Sequence, residues 1–368
     1  MRKIRMGVIG TGMAWERLHW PAMQQLSDRY EVVALCNRTK SDAENFARSI
    51  QLDLNNVYDD YRQMLKRDDI DAVDVMVPIS QNYDVAAAVI QSNKNLIAEK
   101  PLAATLEGCK KLLELHREHD VKIMVAENYR YNEEINKIRD IINQGKIGEV
   151  VYFIQNNVVD FESEMKKNTF AAKEWRQHPN YKGGAFLDAA LHDIAGMRHI
   201  FGAVDHVYAM GRPQQEDFNP YMSVNTQILF KNGVIGQYVY YPDGKEMQAP
   251  LVGLRIFGTK GEIYLEEKVC GFINVAYNDG GKELIQYTPK RGYYNELLNF
   301  YNAMIGIENI SVTPEIEYGD VKMVFDILAS IETKQPVKVD VTGPTNEIGH
   351  IVHSDIHTIT PHQPYYLQ

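Results

Sequence analysis

Residues 4–15 read IRMGVIGTGMAW, an apolar run that stops at Gly10, with Gly12 two positions on. Glycines placed there let the chain turn tightly after a strand and bring backbone N–H groups close to a phosphate. A helix N-terminus just beyond them favours negative charge. The stretch has the form of a dinucleotide-binding turn, carried by Gly10, Gly12, Met13 and Ala14, provided that it opens a strand–helix–strand unit. Trp15 stands where the third glycine of the pattern belongs, so a merely tight strand-to-helix turn is the alternative.

The surrounding pattern supplies that context. Short apolar runs at 31–37, 72–78, 95–99 and 121–127 alternate with amphipathic stretches at 41–49, 58–67, 82–92 and 105–119. This alternation predicts an α/β, doubly wound Rossmann domain over 1–127, its parallel sheet covered by helices on both faces. Beyond residue 128 the pattern changes. A helix at 132–143 and a strand at 149–160 precede a helix through GGAFLDAALHD (183–193). Strands then follow one another at 205–211, 221–231, 234–241, 251–257, 261–266, 269–276 and 283–288, closed by helices at 293–305 and 319–333. That order predicts an α+β domain over 128–340 with an open, mostly antiparallel sheet. A C-terminal extension, 341–368, carries His350, His353, His357 and His362. It is read as lying on the surface or on a partner subunit, and no metal site is expected from it.

Acidic residues outnumber basic ones, 49 to 39, for a net charge of −10. A nucleic-acid binder wants a basic face, so none is expected as a partner. An anionic cofactor then needs a local solution, such as a helix N-terminus or a placed arginine. Cys36, Cys109 and Cys270 are far apart and form no paired motif, which fits a reducing, cytoplasmic compartment. The N-terminal apolar run is too short for a secretory signal, and no stretch is long enough to span a membrane.

Three places carry chemistry. The second strand ends at Asn37, followed by Arg38, where NAD-specific sites place a carboxylate on the ribose. A neutral Asn37 beside Arg38 favours a 2′-phosphate, hence NADP over NAD, unless Arg38 is only a solvated loop charge. Lys100 follows Glu99 at a strand end, where ligands bind in open parallel sheets. Asp188 and His192, four apart in an apolar helix, are brought to one face, one turn apart. His199 falls on the same face but too far along the helix to join them.

Taken in order, GTGMAW with His19 and Pro21 beyond it, DAVDVMVP ending at Pro78, EKP at 99–101, NYRY at 128–131, EWR at 174–176 and GGAFLDAALH at 183–192 resemble the Gfo/Idh/MocA family of NAD(P)-dependent oxidoreductases. The resemblance runs from about residue 3 to 340. It implies a catalytic set of Lys100, Asp188 and His192, with Pro78, Asn82, Glu99 and Arg176 joining the cofactor turn. Trp175, with Arg176, is implied to line the cofactor or substrate pocket, unless the indole only anchors its loop to the core; Tyr129 and Tyr293 are further substrate candidates because aromatic hydroxyls suit a sugar face. It implies a homodimer or homotetramer paired through the open sheet, and a sugar, inositol or related polyol as substrate.

Three positions depart from the family pattern: Trp15 for a small residue, Asn82 where a His often stands, and Ala195 where an Asp often stands. In the expected reaction His192 is the base and Lys100 stabilises the reacting oxygen. Asp188 orients the substrate or favours charge on His192, and a lysine of lowered basicity shares the base role. A glycosidase using transient oxidation by bound NAD, and a non-catalytic nucleotide sensor, are the competing readings.

Overall fold

The computed structural model describes residues 2–245 and 253–339. The expected histidine cluster of the extension lies outside them. Six strands form the first sheet: β1 (Ile4–Ile9), β2 (Tyr30–Cys36), β3 (Val57–Tyr58), β4 (Ala72–Val75), β5 (Asn95–Glu99) and β6 (Ile123–Ala126). Their order is β3-β2-β1-β4-β5-β6, and all neighbours are parallel. Four of the six residues of β1 are buried in succession after Arg5, because helices cover both faces and neither needs polar side chains. The order reverses between β1 and β4, which opens a crevice at the carboxyl ends of the strands.

The second sheet has nine strands: β7 (Val150–Val158), β8 (Val204–Pro213), β9 (Tyr221–Phe230), β10 (Ile235–Tyr241), β11 (Leu254–Gly258), β12 (Gly261–Leu265), β13 (Phe272–Tyr277), β14 (Lys282–Gln286) and β15 (Val337–Lys338). Its order is β14-β13-β12-β11-β7-β10-β9-β8-β15. Only β7 and β10 run parallel; every other neighbouring pair is antiparallel. The strands alternate buried and exposed positions, as in β9, where Val224, Thr226, Ile228 and Phe230 are buried. The inner face packs against helices Leu191–Phe201 and Pro314–Thr333. The outer face is open and carries Tyr152, Met210, Ile235 and Leu284, all more than a third exposed.

Two short strands escape sequence reading. β3 occupies the start of the expected helix 58–67, which shrinks to Tyr61–Met64 behind the capping carboxylate of Asp60. β15 is equally short, and two residues have no periodicity to display. The last helix begins at Pro314 rather than 319, with proline in its first turn, where no N–H is required. Among the described residues no helix is long and apolar enough to cross a membrane, and no cluster of three or more His, Cys, Asp or Glu could hold a metal ion.

Candidate active site

The glycine turn lies at the sheet's switch point. Gly10 has φ +96°, and a Cβ on it would sit 2.1 Å from the Met76 carbonyl oxygen, so the turn admits no side chain there. Gly12 is exposed, and a Cβ on it would meet nothing within 4 Å. The helix entered through half-buried Met13 and Ala14 widens into a π-helical turn over Trp15–His19. Trp15 is fully buried against Trp20 and Phe46, so the missing glycine is replaced by a packed indole, not by a blocked turn. An open backbone approach ahead of free helix N–H groups fits the pyrophosphate of a dinucleotide. At the end of β2, Asn37 is half-buried, and Arg38 is exposed and makes no ion pair among the described residues.

The second cluster forms where β5 ends. The Lys100–Pro101 peptide bond is cis, and the buried Asn82 amide fastens this turn by donating to the Pro101 carbonyl at 2.7 Å and the Glu99 carbonyl at 3.4 Å. Asn82 itself lies in the helix Ile79–Gln91, which Pro78 opens. The Glu99 carboxylate accepts from the Lys100 backbone N–H at 3.1 Å. Lys100 Nζ then crosses to the second domain, donating to Asp188 Oδ1 at 2.8 Å and to the Asp188 carbonyl at 2.5 Å. Arg176 Nε takes the other carboxylate oxygen at 2.6 Å, with its guanidinium stacked 4.3 Å from the Trp175 ring. Burial opposes charge on Asp188, but Arg176 and Lys100 outweigh it and hold the carboxyl far below its usual range. Burial likewise opposes charge on Lys100, and Asp188 outweighs it, so the lysine is held above its ordinary value. This corrects the expectation of a lowered lysine sharing the base role.

A second correction concerns His192. Asp188 and His192 do not serve one another, because a π-helical turn over Phe186–Ala190 precedes the α-helix Leu191–Phe201 and Asp188 is committed to two cations. His192 Nδ1 instead donates to Glu127 Oε1 at 2.8 Å. Glu127 is fully buried at the end of β6, and the Tyr129 N–H donates to the same oxygen at 3.0 Å. Burial opposes its charge, yet His192 and Lys100 hold the carboxyl below the usual glutamate value. With Nδ1–H committed to a carboxylate, the neutral ring leaves Nε2 as an acceptor. The Tyr129 ring stacks on His192, centroids 4.5 Å apart. His199 is elsewhere, bonded to Asn136.

Sequence reading passed over Glu127, although a carboxylate at the end of a parallel strand stands where Glu99 and Lys100 stand. It also passed over Asp74, a buried acid inside β4 that bonds His19 Nδ1 at 2.8 Å. His19 Nε2 lies 3.3 Å from Glu296 and 3.8 Å from Glu99, tying the first sheet to the helix Gly292–Met304. Tyr293 of that helix is half-buried, with its ring centroid 6.2 Å from that of His19.

Beside His192 a cavity of about 370 Å³ opens between the inner face of the second sheet and the helix Leu191–Phe201. Tyr129, His192, Asp193 and Lys268 are among its lining residues. The size suits a small ligand.

Sequence models of an oxidoreductase family match nearly the whole described chain: its NAD-binding Rossmann fold over residues 4–127 and its C-terminal alpha/beta domain over 139–339. The chain belongs to the Gfo/Idh/MocA oxidoreductases. It is 28% identical over 316 residues to an uncharacterised protein of Saccharomyces cerevisiae, covering 83% of this chain and 88% of that one. It is 26% identical to the 1,5-anhydro-D-fructose reductase of Ensifer adhaerens, over 67% of this chain and 73% of that one. A solved levoglucosan dehydrogenase, in complex with NADH and L-sorbose, shares the fold with a TM-score of 0.82 at 21% identity, over 93% of this chain and 100% of that one.

Proposed function

We propose that this oxidoreductase transfers a hydride between a nicotinamide dinucleotide and a secondary alcohol or ketone of a sugar, inositol or related polyol. The observation that carries this reading is the pairing of Glu127 with His192 beside a Lys100 kept cationic by Asp188, all at the carboxyl edge of a Rossmann sheet. The names of two related proteins, a sugar reductase and a sugar dehydrogenase, support the substrate class.

A bound nicotinamide supplies the hydride acceptor or donor. His192 Nε2 takes the hydroxyl proton as the carbinol carbon loses hydride, and Glu127 stabilises the imidazolium that results. Lys100 donates to the same oxygen, favouring the charge that develops on it. Asp188 holds Lys100 in place and is itself held by Arg176. In the reducing direction each proton moves back along the same path.

Gly10, Gly12, Met13 and Ala14 are assigned to the pyrophosphate, and Pro78 and Glu99 to the nicotinamide end. The cofactor is NADP: Asn37 brings no carboxylate to the ribose, and Arg38 is exposed and makes no ion pair among the described residues. Two functional units, 1–127 and 128–340, meet at this site. The apolar outer face of the second sheet is assigned to contact with a second copy of the chain, which light scattering on the purified protein tests.

The cofactor assignment is tested by titrating NADPH and NADH into wild type and Arg38→Ala, following nicotinamide fluorescence. Loss of one charge-assisted phosphate bond weakens NADPH by roughly tenfold or more and leaves NADH unchanged. A preference for NADH that ignores Arg38 overturns NADP and leaves the hydride-transfer reading standing. A screen of cyclic polyols with the preferred nucleotide tests that reading, and turnover of none of them contradicts it.

A further inference from the structure

The cavity beside His192 has a chemistry of its own. Lys268 is its one lysine or arginine among the described residues, while Asp193, Glu266 and Glu267 also line it. The ammonium lies 2.5 Å from Asp193 Oδ1 and 3.9 Å from the centroid of the Tyr129 ring. Asp193 is held in turn by Asn157 Nδ2 at 2.5 Å and by the Tyr238 hydroxyl at 2.8 Å. Burial opposes the charge on Lys268, but Asp193 outweighs it and keeps the amine protonated.

An ammonium has three donors. One is spent on Asp193 and a second side is covered by the Tyr129 ring, which leaves a donor for a ligand oxygen. Because Asp193 already compensates its charge, Lys268 offers a hydrogen bond and not a net positive site. The two further glutamates are exposed and add negative charge around the cavity. A phosphate, a uronate carboxylate or a nucleotide diphosphate brought to this cavity meets, among the described lining residues, three carboxylate residues and no lysine or arginine besides the Asp193-paired Lys268. Desolvating such an anion unpaired is strongly unfavourable. A hydroxyl-rich neutral ring meets paired donors and acceptors instead.

We infer that Lys268, fixed by Asp193 and Tyr129, grips a hydroxyl away from the reacting carbon, and that the substrate is a neutral cyclic polyol and not an anionic sugar. This rests on the hydride-transfer reading above for the site, but on different residues for its specificity.

The test compares myo-inositol and methyl β-D-glucopyranoside with glucuronate, glucose 6-phosphate and UDP-glucose. Binding to the nucleotide-loaded protein is read by saturation-transfer NMR, and turnover by nicotinamide absorbance. Neutral rings bind and the anions do not. Lys268→Met raises the KM or dissociation constant for the neutral ring by roughly tenfold with nucleotide affinity unchanged, as expected for loss of one bond to a charged group. Lys268→Arg, which keeps the donor, loses less. Asp193→Asn strips the compensating charge and improves binding of glucuronate. Preference for any of the anions, failure of both neutral rings to bind, or a Lys268→Met protein with unchanged affinity for them overturns the inference. Neutral rings that bind through Lys268 yet never reduce the nicotinamide would sink the hydride-transfer reading alone. Turnover of an anionic sugar would sink this inference alone.

Discussion

Glu127 Oε1 and His192 Nδ1 stand 2.8 Å apart, one at the end of the last strand of the first sheet and the other on the first turn of the helix that covers the second. On the proposed reading, the base and its orienting carboxylate come from separate domains. Removing the charge while keeping the shape, as in Glu127→Gln, leaves the imidazolium unsupported and lets the ring adopt the wrong tautomer. We expect kcat to fall roughly 100-fold or more, within the range of general-base catalysis, with nucleotide affinity unchanged. Steady-state kinetics and nucleotide titration on the one variant check both halves.

On the proposed reading, Lys100 separates from His192 in its role. Held above its ordinary value by Asp188, it stays protonated through the neutral range and acts as a donor. Lys100→Met is expected to lower kcat by roughly 100-fold or more. It also leaves Asp188 with Arg176 alone, which destabilises the fold by on the order of 2–3 kcal/mol, less than a buried pair broken outright. Thermal or urea unfolding reads that loss independently of activity.

The two glycines of the cofactor turn predict opposite phenotypes. Gly10→Ala forces a side chain against the Met76 carbonyl at a φ of +96°, which is expected to destabilise by roughly 2 kcal/mol or more. Gly12→Ala meets no protein atom within 4 Å, so the fold keeps wild-type stability while the pyrophosphate loses its close approach. Unfolding midpoints and nucleotide affinities measured on both variants distinguish the two effects.

Much of this was legible in sequence because it rests on local signals. The apolar runs of β1, β2, β4, β5 and β6 announce strands buried on both faces, and Gly10 and Gly12 announce the turn after the first. Lys100, Asp188 and His192 were visible as residues; their partners were not. The i, i+4 spacing pointed Asp188 at His192, but a π-helical turn changes the angular spacing along that helix, and Lys100 and Arg176 arrive from segments distant in sequence. Glu127 reads as an ordinary solvated strand end until the second domain covers it. Asp74 looks like an error inside a buried strand until His19 closes on it.

Glu134 provides a pH-dependent test away from catalysis. Its Oε1 accepts from the Asn132 amide, and Oε2 is buried without a partner. Burial pushes its carboxyl up to about 7 from an ordinary 4.5. Below 4.5 both folded and unfolded states hold the proton, and the group has no effect on stability. Between 4.5 and about 7 the folded state keeps a proton that the unfolded chain releases, so stability falls as pH rises, by about 3 kcal/mol in all for this group. Glu134→Gln stays neutral throughout. Urea unfolding across pH is expected to show the variant equal to wild type in acid and more stable above neutrality.

The most direct test of the site follows deuterium. A polyol substrate from the screen, deuterated at its carbinol carbons, is incubated with nucleotide and either wild type or His192→Ala, and label on the nicotinamide ring is read by NMR. Wild type transfers deuterium to the ring. His192→Ala binds nucleotide as wild type does and transfers label roughly 100-fold more slowly or worse. Transfer at the wild-type rate without the imidazole contradicts the assignment of His192 as base, and with it the role of Glu127 as the carboxylate that orients it.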